Sequence, residues 1–216
     1  MDLGRSILGK MMNDVAKLFT RSDGDYVFAR WGRPIVPVVF GVDDATLSVF
    51  KGAIEAVVTL AGHQMAETDS ELGANLMVFF CQDWAELPEV PHLDQLLPDL
   101  GRLVQRLQQA DANQYRIFRF DEAGAIRAAF VFLRLDDHLA AVSADTLALS
   151  QAVQTILLWS DNAFSDAPPL GLIEGKAVLR PEIADVIRAA YDPVMPVAAR
   201  DASHALRLQA RITRPS

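Results

Sequence analysis

Four histidines, one cysteine and three adjacent acidic pairs are the side chains of this 216-residue chain best suited to chemistry. A zinc-peptidase helix needs two imidazoles at positions i and i+4, with a glutamate beside the first acting as base. His63, His92, His138 and His204 never come closer than 29 residues, so that motif is absent. His63 and Glu67 stand four apart, but Gly62 ends the helical pattern before them, and a solvated loop pair is expected there in preference to a metal site. His92 follows Pro91 at a helix start, His138 follows two aspartates at the surface, and His204 has the spacing of an outer helix face. Cys81 closes the apolar run Leu76-Met77-Val78-Phe79-Phe80 and reads as a small buried hydrophobe, not a reactive thiol. Asp43/Asp44, Asp121/Glu122 and Asp136/Asp137 all fall at element ends, where capping and turn chemistry account for them better than acid–base catalysis. Ser203 and His204 are neighbours on a helical pattern and so point about 100° apart, which is no dyad. The phosphate-loop patterns GxGxxG and GxxxxGK[ST] and the nucleophile elbow GxSxG do not occur.

The elements that must position any site follow from apolar periodicity. Leu3, Ile7, Leu8, Met11, Met12, Val15, Leu18 and Phe19 recur at helical steps until Ser22-Asp23-Gly24-Asp25 breaks them, which sets residues 1–22 apart as an amphipathic N-terminal helix. Docking on its own domain, a dimer-forming arm through residues 3–19, and a membrane-surface helix are its three readings. Asp2 and Asp14 weigh against the last. Residues 23–216 are expected to form one α+β domain, a mixed sheet of four or five strands with one β-hairpin, flanked by helices. Pro34–Gly41 reads as a strand, at the sheet edge or bulged on account of Pro37, and a helix from Asp43-Asp44 runs to Gly62. Asn75–Cys81 is a central strand apolar on both faces. One helix is expected from His92 to Ala110, and Tyr115–Phe120 with Ala125–Leu135 is the hairpin. A helix over Ser143–Leu158, an irregular stretch over 159–180, a helix from Pro181 to the Tyr191-Asp192-Pro193 stop, and a last helix from Ala198 to Arg211 complete the order. Trp31, Trp84 and Trp159 lie near element boundaries, where half-buried rings or ligand-binding edges form.

With 51% hydrophobic and 22% charged residues, the chain is neither disordered, collagen-like nor a disulfide scaffold. Its net charge of -8 argues against a nucleic-acid partner. No run approaches the ~18 apolar residues of a membrane span, and the N-terminal charges do not make a secretory leader, so the chain as written reads as cytoplasmic, or periplasmic if a leader has been removed. The first 33 residues carry +2 and the last 20 carry +3, while 34–111 carry -9. The basic ends are therefore expected to pack against the acidic body or a partner.

Four segments together carry a resemblance. They are Phe28-Ala29-Arg30-Trp31 with the Pro-containing strand after it, Ala74-Asn75-Leu76-Met77-Val78-Phe79-Phe80, Ser150–Thr155 followed by Asp161-Asn162-Ala163-Phe164-Ser165-Asp166, and Leu179 through Asp185-Val186-Ile187-Arg188-Ala189-Ala190-Tyr191-Asp192-Pro193. Over about residues 28–200 the chain resembles a family of uncharacterised, mostly exported bacterial proteins that are similar to metzincin-type zinc peptidases without the metal. The resemblance implies that the helix bearing Gln151–Thr155 stands where a peptidase carries HExxH, that no metal or other cofactor is bound, and that the turn at Met195 lies beneath the vacated position. It also implies a residual cleft lined by Arg30, Asn75, Gln154, Asp161, Asp166, Tyr191 and Asp192. The expected function is a non-catalytic peptide- or protein-binding or assembly protein. The alternatives are a hydrolase built from carboxylates distant in sequence, which needs a carboxyl of strongly raised pKa, and a purely structural dimeric subunit.

Overall fold

The structure, a computed structural model, describes residues 15–213. Strand β1 (Phe28–Ala29) precedes β2 (Pro37–Phe40), helix α1 (Asp44–Leu60), β3 (Leu76–Cys81) and a 3-10 turn (Trp84–Glu89). Helices α2 (Leu93–Leu96) and α3 (Leu100–Gln109), strands β4 (Gln114–Phe120) and β5 (Ile126–Arg134), and helices α4 (Asp137–Ala140) and α5 (Ala144–Ile156) follow. The chain continues through β6 (Leu170–Ile173), β7 (Lys176–Leu179), α6 (Pro181–Ala190), β8 (Ala198–Ala199) and α7 (Ser203–Ile212). The main sheet has the order β2-β3-β5-β4, with β2, β3 and β5 parallel and β4 antiparallel to β5. A single mixed α+β domain flanked by helices is therefore what the sequence forms.

Alternation along the central strands builds two cores. Leu76 and Val78 of β3, with Ala129, Val131 and Leu133 of β5, face the cluster that includes α1, α5, α6 and α7 residues. Met77, Phe79 and Cys81, with Ala128, Phe130 and Phe132, face the cluster beneath the 3-10 turn and α3. This is why both strands read as unbroken apolar runs. Helix α1 starts where Asp43 accepts a hydrogen bond from the Thr46 amide at 2.7 Å, and it buries Phe50, Ile54, Val57 and Val58. Asp136 caps α4 by accepting from the Leu139 amide, and the Asp121 carboxylate accepts from the Ala125 amide in the β4–β5 turn. These acidic groups hold element ends, as their positions imply. Cys81 is buried, and its thiol is pushed up to about 11, first by burial and then by Glu86 and Asp83.

Three boundaries differ from expectation. The helix expected over 92–110 is two helices, because Pro98 forces Leu97 out of the helical region, to φ -130° and ψ 82°. The stretch expected to be irregular contains the β6–β7 hairpin, closed by Glu174 at φ 51° and Gly175 at φ 78°, a two-residue turn of the kind that matches strand twist. The last helix begins at Ser203, since Ala198–Ala199 are drawn into extended pairing with Phe28–Ala29.

Most of the N-terminal helix and of the dimer contact expected through residues 3–19 lies outside the described residues. Its described end docks on the domain: Val15 is buried, and Phe19 is wholly enclosed, stacked on Trp159 at 5.4 Å and edge-on to Phe28. Trp31 and Trp84 are fully buried instead of half-buried, each donating its indole N–H to a backbone oxygen, of Thr155 and Ala112 respectively. No helix among the described residues is long and apolar enough to cross a membrane.

Candidate functional site

Beside β4 the helical layer opens into a groove of about 520 Å³, walled by α5, the start of α4 and the β6–β7 hairpin. Thr146, Leu147, Ser150 and Gln151 recur at one face of α5 and form one wall, while Leu170 and Leu172 of the hairpin form the other. Leu172 is 75% exposed, a large apolar side chain held at the mouth. Strand β4 is the sheet edge and pairs with no strand but β5 among the described residues, and its first residue, Gln114, lines the groove.

Gln114 and Gln151, which line the groove, belong to an amide–guanidinium network whose third member, Arg116, lies outside the lining. Gln114 and Arg116, two apart on β4, share the face turned toward α5, while Tyr115 and Ile117 face the opposite core. Arg116 Nη2 donates to Gln151 Oε1 at 2.6 Å and to Gln114 Oε1 at 3.1 Å, and Gln151 Nε2 donates to the same Gln114 oxygen at 2.9 Å. Arg116 Nε is sealed from solvent without a partner. Burial pulls this guanidinium down to about 10 from its ordinary 12.5, the direction expected of a cation withdrawn from water.

At the positions where the resemblance puts metal ligands, the groups are already engaged. Gln151 is held by Arg116 and Gln114, and the Thr155 hydroxyl donates back to the Gln151 carbonyl at 2.8 Å. No group of three or more His, Cys, Asp or Glu side chains among the described residues is placed to hold a metal ion.

The seven residues expected to line one cleft do not come together. Gln154 lies on α5 and donates to Ser150, which does line the groove. Arg30 sits over the Tyr191 ring at 5.2 Å and donates to the Met195 carbonyl, and the Tyr191 hydroxyl donates to the Ile156 carbonyl at 2.8 Å, so both knit β1 to α5 and α6. Asn75 is fully buried elsewhere, accepting from the Val36 amide and donating to Pro34 and Asp69. Asp161 accepts from the Ser22 amide and hydroxyl, and its carboxyl is held below the usual range by those bonds. Asp192 pairs with Arg211 at 3.1 Å, and Asp166 is solvent-exposed. Apart from Asp166, each of these groups is occupied by a backbone, aromatic or side-chain partner of its own.

Two histidines also differ. His63 is not a solvated partner of Glu67: its Nε2 is 2.8 Å from the Arg33 carbonyl and its ring packs 5.1 Å from Tyr191, and burial lowers its pKa against the opposing effect of the Arg33 bond. His204 is not on an outer face. It is 3% exposed, with Nδ1 2.8 Å from the Tyr26 hydroxyl and its ring against Phe28 at 4.2 Å.

On the opposite face of β4, a furrow of about 550 Å³ carries Arg102, Arg106 and Arg119. All three are exposed and Asp99 stands among them, so they form a solvated surface. Gln114, with its hydrogen-bonding neighbour Arg116, is the groove residue that the sequence reading does not single out; the signal for it is parity, since Gln114 and Arg116 alternate with the apolar Tyr115 and Ile117. The arrangement defines an α+β protein with a ligand-sized groove beside a free sheet edge. Compared with family models, curated proteins and solved structures, the chain matches none of them.

Proposed function

We propose that this protein is a non-catalytic peptide-binding protein, built on a scaffold similar to that of zinc peptidases without the metal, which takes an extended segment into the groove along β4. The observation that carries this reading is the groove between α5 and the β6–β7 hairpin, where the lining side chains Gln114 and Gln151 are hydrogen-bonded to each other and to Arg116 and the exposed Leu172 stands at the mouth. The open main-chain edge of β4 offers strand addition, in which backbone hydrogen bonds supply affinity and side-chain pockets supply choice. Leu172 at the mouth supplies apolar surface that a ligand would cover. A hydrolase of distant carboxylates is less well supported: the carboxylates whose titration is displaced, Asp43, Asp69, Asp136, Asp161 and Asp201, all move down and stay charged.

The test uses a pool of acetylated tetrapeptides randomised over apolar residues, read by saturation-transfer NMR with the full chain and with Ser150→Trp, which fills the groove. Binding to the parent chain, lost in the variant, with every peptide recovered intact by mass spectrometry, supports the reading. Peptide cleavage, or binding that Ser150→Trp leaves unchanged, overturns it.

A further inference from the structure

Strand β4 has an unfilled edge and two different faces. The Asn113 carbonyl accepts from the Arg134 amide at 2.9 Å, and the register sets Tyr115 opposite Phe132, Ile117 opposite Phe130 and Arg119 opposite Ala128. The main-chain groups of these alternate residues therefore turn toward β5, and those of Gln114, Arg116 and Phe118 turn outward. Among the described residues, no backbone hydrogen bond reaches these outward groups, and the ladder stays regular as far as Arg119. On the Tyr115 and Ile117 face, the furrow of about 550 Å³ between β4 and α3 has one-sided charge. Arg102 and Arg106, four apart, share a face of α3, and Arg119 joins them from β4. Arg106 lies over the Tyr115 ring at 5.9 Å, which holds its guanidinium beside the strand. None of the three forms an ion pair among the described residues, whereas Arg33, Arg127, Arg134, Arg180, Arg188 and Arg211 each do. Asp99 is the one carboxylate in the lining, in a chain whose acidic residues outnumber its basic ones by 28 to 20.

We infer that the strand added to β4 is an acidic one, with carboxylates at alternate positions opposite Tyr115, Ile117 and Arg119, where Arg102, Arg106 and Arg119 meet them. A strand at this edge sends every second side chain to the arginine face and the others to the face of Gln114, at the apolar groove. Guanidinium forks suit carboxylates on the first face, and Leu147, Leu170 and Leu172 suit apolar side chains on the second. Charge decides against the other occupants. Residues 1–14 and 214–216 carry Arg5, Lys10 and Arg214 against Asp2 and Asp14, so the rest of this chain supplies no acidic strand. A second copy paired edge to edge about a two-fold axis would set its own arginine furrow on the same face, like charge beside like. The net charge of -8 disfavours a nucleic acid. This inference rests on the strand-addition reading above and narrows it to acidic–apolar alternation.

The experiment compares acetylated, amidated hexapeptides that alternate leucine with glutamate, glutamine or lysine, read by heteronuclear NMR on the full chain at low salt. The variants are Arg102→Gln/Arg106→Gln, Arg119→Gln and the groove-filling Ser150→Trp. The arginines replaced are exposed and glutamine suits a helix, and urea titration verifies folding. The glutamate peptide should bind about tenfold tighter than the glutamine one, since three exposed ion pairs are individually weak, and the lysine one weakest of all. The preference should fall below about threefold in either arginine variant and in the parent chain at about 0.5 M salt. The amides of Gln114, Arg116 and Phe118 should shift on binding. Equal binding of the glutamate and glutamine peptides, lost in Ser150→Trp, overturns the acidic strand and leaves the groove a peptide site. An acidic preference with β4 shifts that Ser150→Trp leaves untouched supports the acidic strand and overturns the groove as its seat. Tighter binding of an oligothymidylate than of the glutamate peptide, or a dimer whose shifts centre on β4, overturns the inference in favour of a nucleic acid or a second copy. No binding of any probe overturns both readings.

Discussion

Lowering the pH from 7.5 to 5 should destabilise this protein through His204. The imidazole is enclosed by Tyr26, Phe28 and α7, and burial, reinforced by the Arg207 charge, holds it down to about 4 against its ordinary 6.5. The native state therefore keeps it neutral, while the unfolded chain takes up a proton as pH falls through 6.5. The sign is fixed by that difference: the stability is present above pH 6.5 and is lost as pH falls toward 4. The gap is worth about 3 kcal/mol in full and about 2 kcal/mol by pH 5. In urea titrations at pH 7.5 and 5.0, the parent chain should lose about 2 kcal/mol more than His204→Asn, whose amide oxygen can take over the Tyr26 hydrogen bond without titrating. His63, lowered in the same direction by burial, stays in both proteins and cancels in the comparison. Parallel pH profiles for the two proteins would refute the argument, because the coupling would then have to lie elsewhere.

Gly41 sits at φ +82°, and a Cβ there would fall 2.5 Å from the Phe80 carbonyl oxygen; Gly41→Ala should cost about 2 kcal/mol or more in urea denaturation. Asn75→Ala leaves the Val36 amide without a buried partner and removes one of the two donors to Asp69 Oδ2, the other being Arg33, and should lower stability by about 2 kcal/mol, with a matching fall in Tm by calorimetry. Phe19→Ala empties the slot against Trp159 and Phe28 and should cost about 3 kcal/mol; a loss under 1 kcal/mol in the same assay would show that this segment does not hold on to the domain.

Particular elements show how much was legible. The two-faced run of β3 and the apolar hairpin strand β5 follow from local pattern alone, and of the two readings Pro37 leaves open, edge or bulge, β2 takes the edge. So do the caps at Asp43 and Asp136, which act within three residues. The β6–β7 hairpin was not legible because its strands are four residues each with exposed ends, and its Glu-Gly turn lacks the usual asparagine or aspartate signal. The spacing of its own helix turns His204 outward, whereas Tyr26 and Phe28, 178 and 176 residues away, close over it.

The same division governs the site. The sequence by itself determined which residues could not do chemistry together: no paired imidazoles, no phosphate loop and no nucleophile elbow, all motifs whose partners lie within a few residues and can be read by counting. It also determined the alternation that makes a mixed sheet with two covered faces. Only the tertiary structure decided that Gln114 and Arg116 meet Gln151 across 35 to 37 residues, that Asn75 and Tyr191 face inward to hold backbone, and that a groove opens beside β4. The physical reason is range. Periodicity and capping act within one or two turns of chain, while the position of a guanidinium against an amide on another element is set by how two packed layers register, which no local pattern encodes.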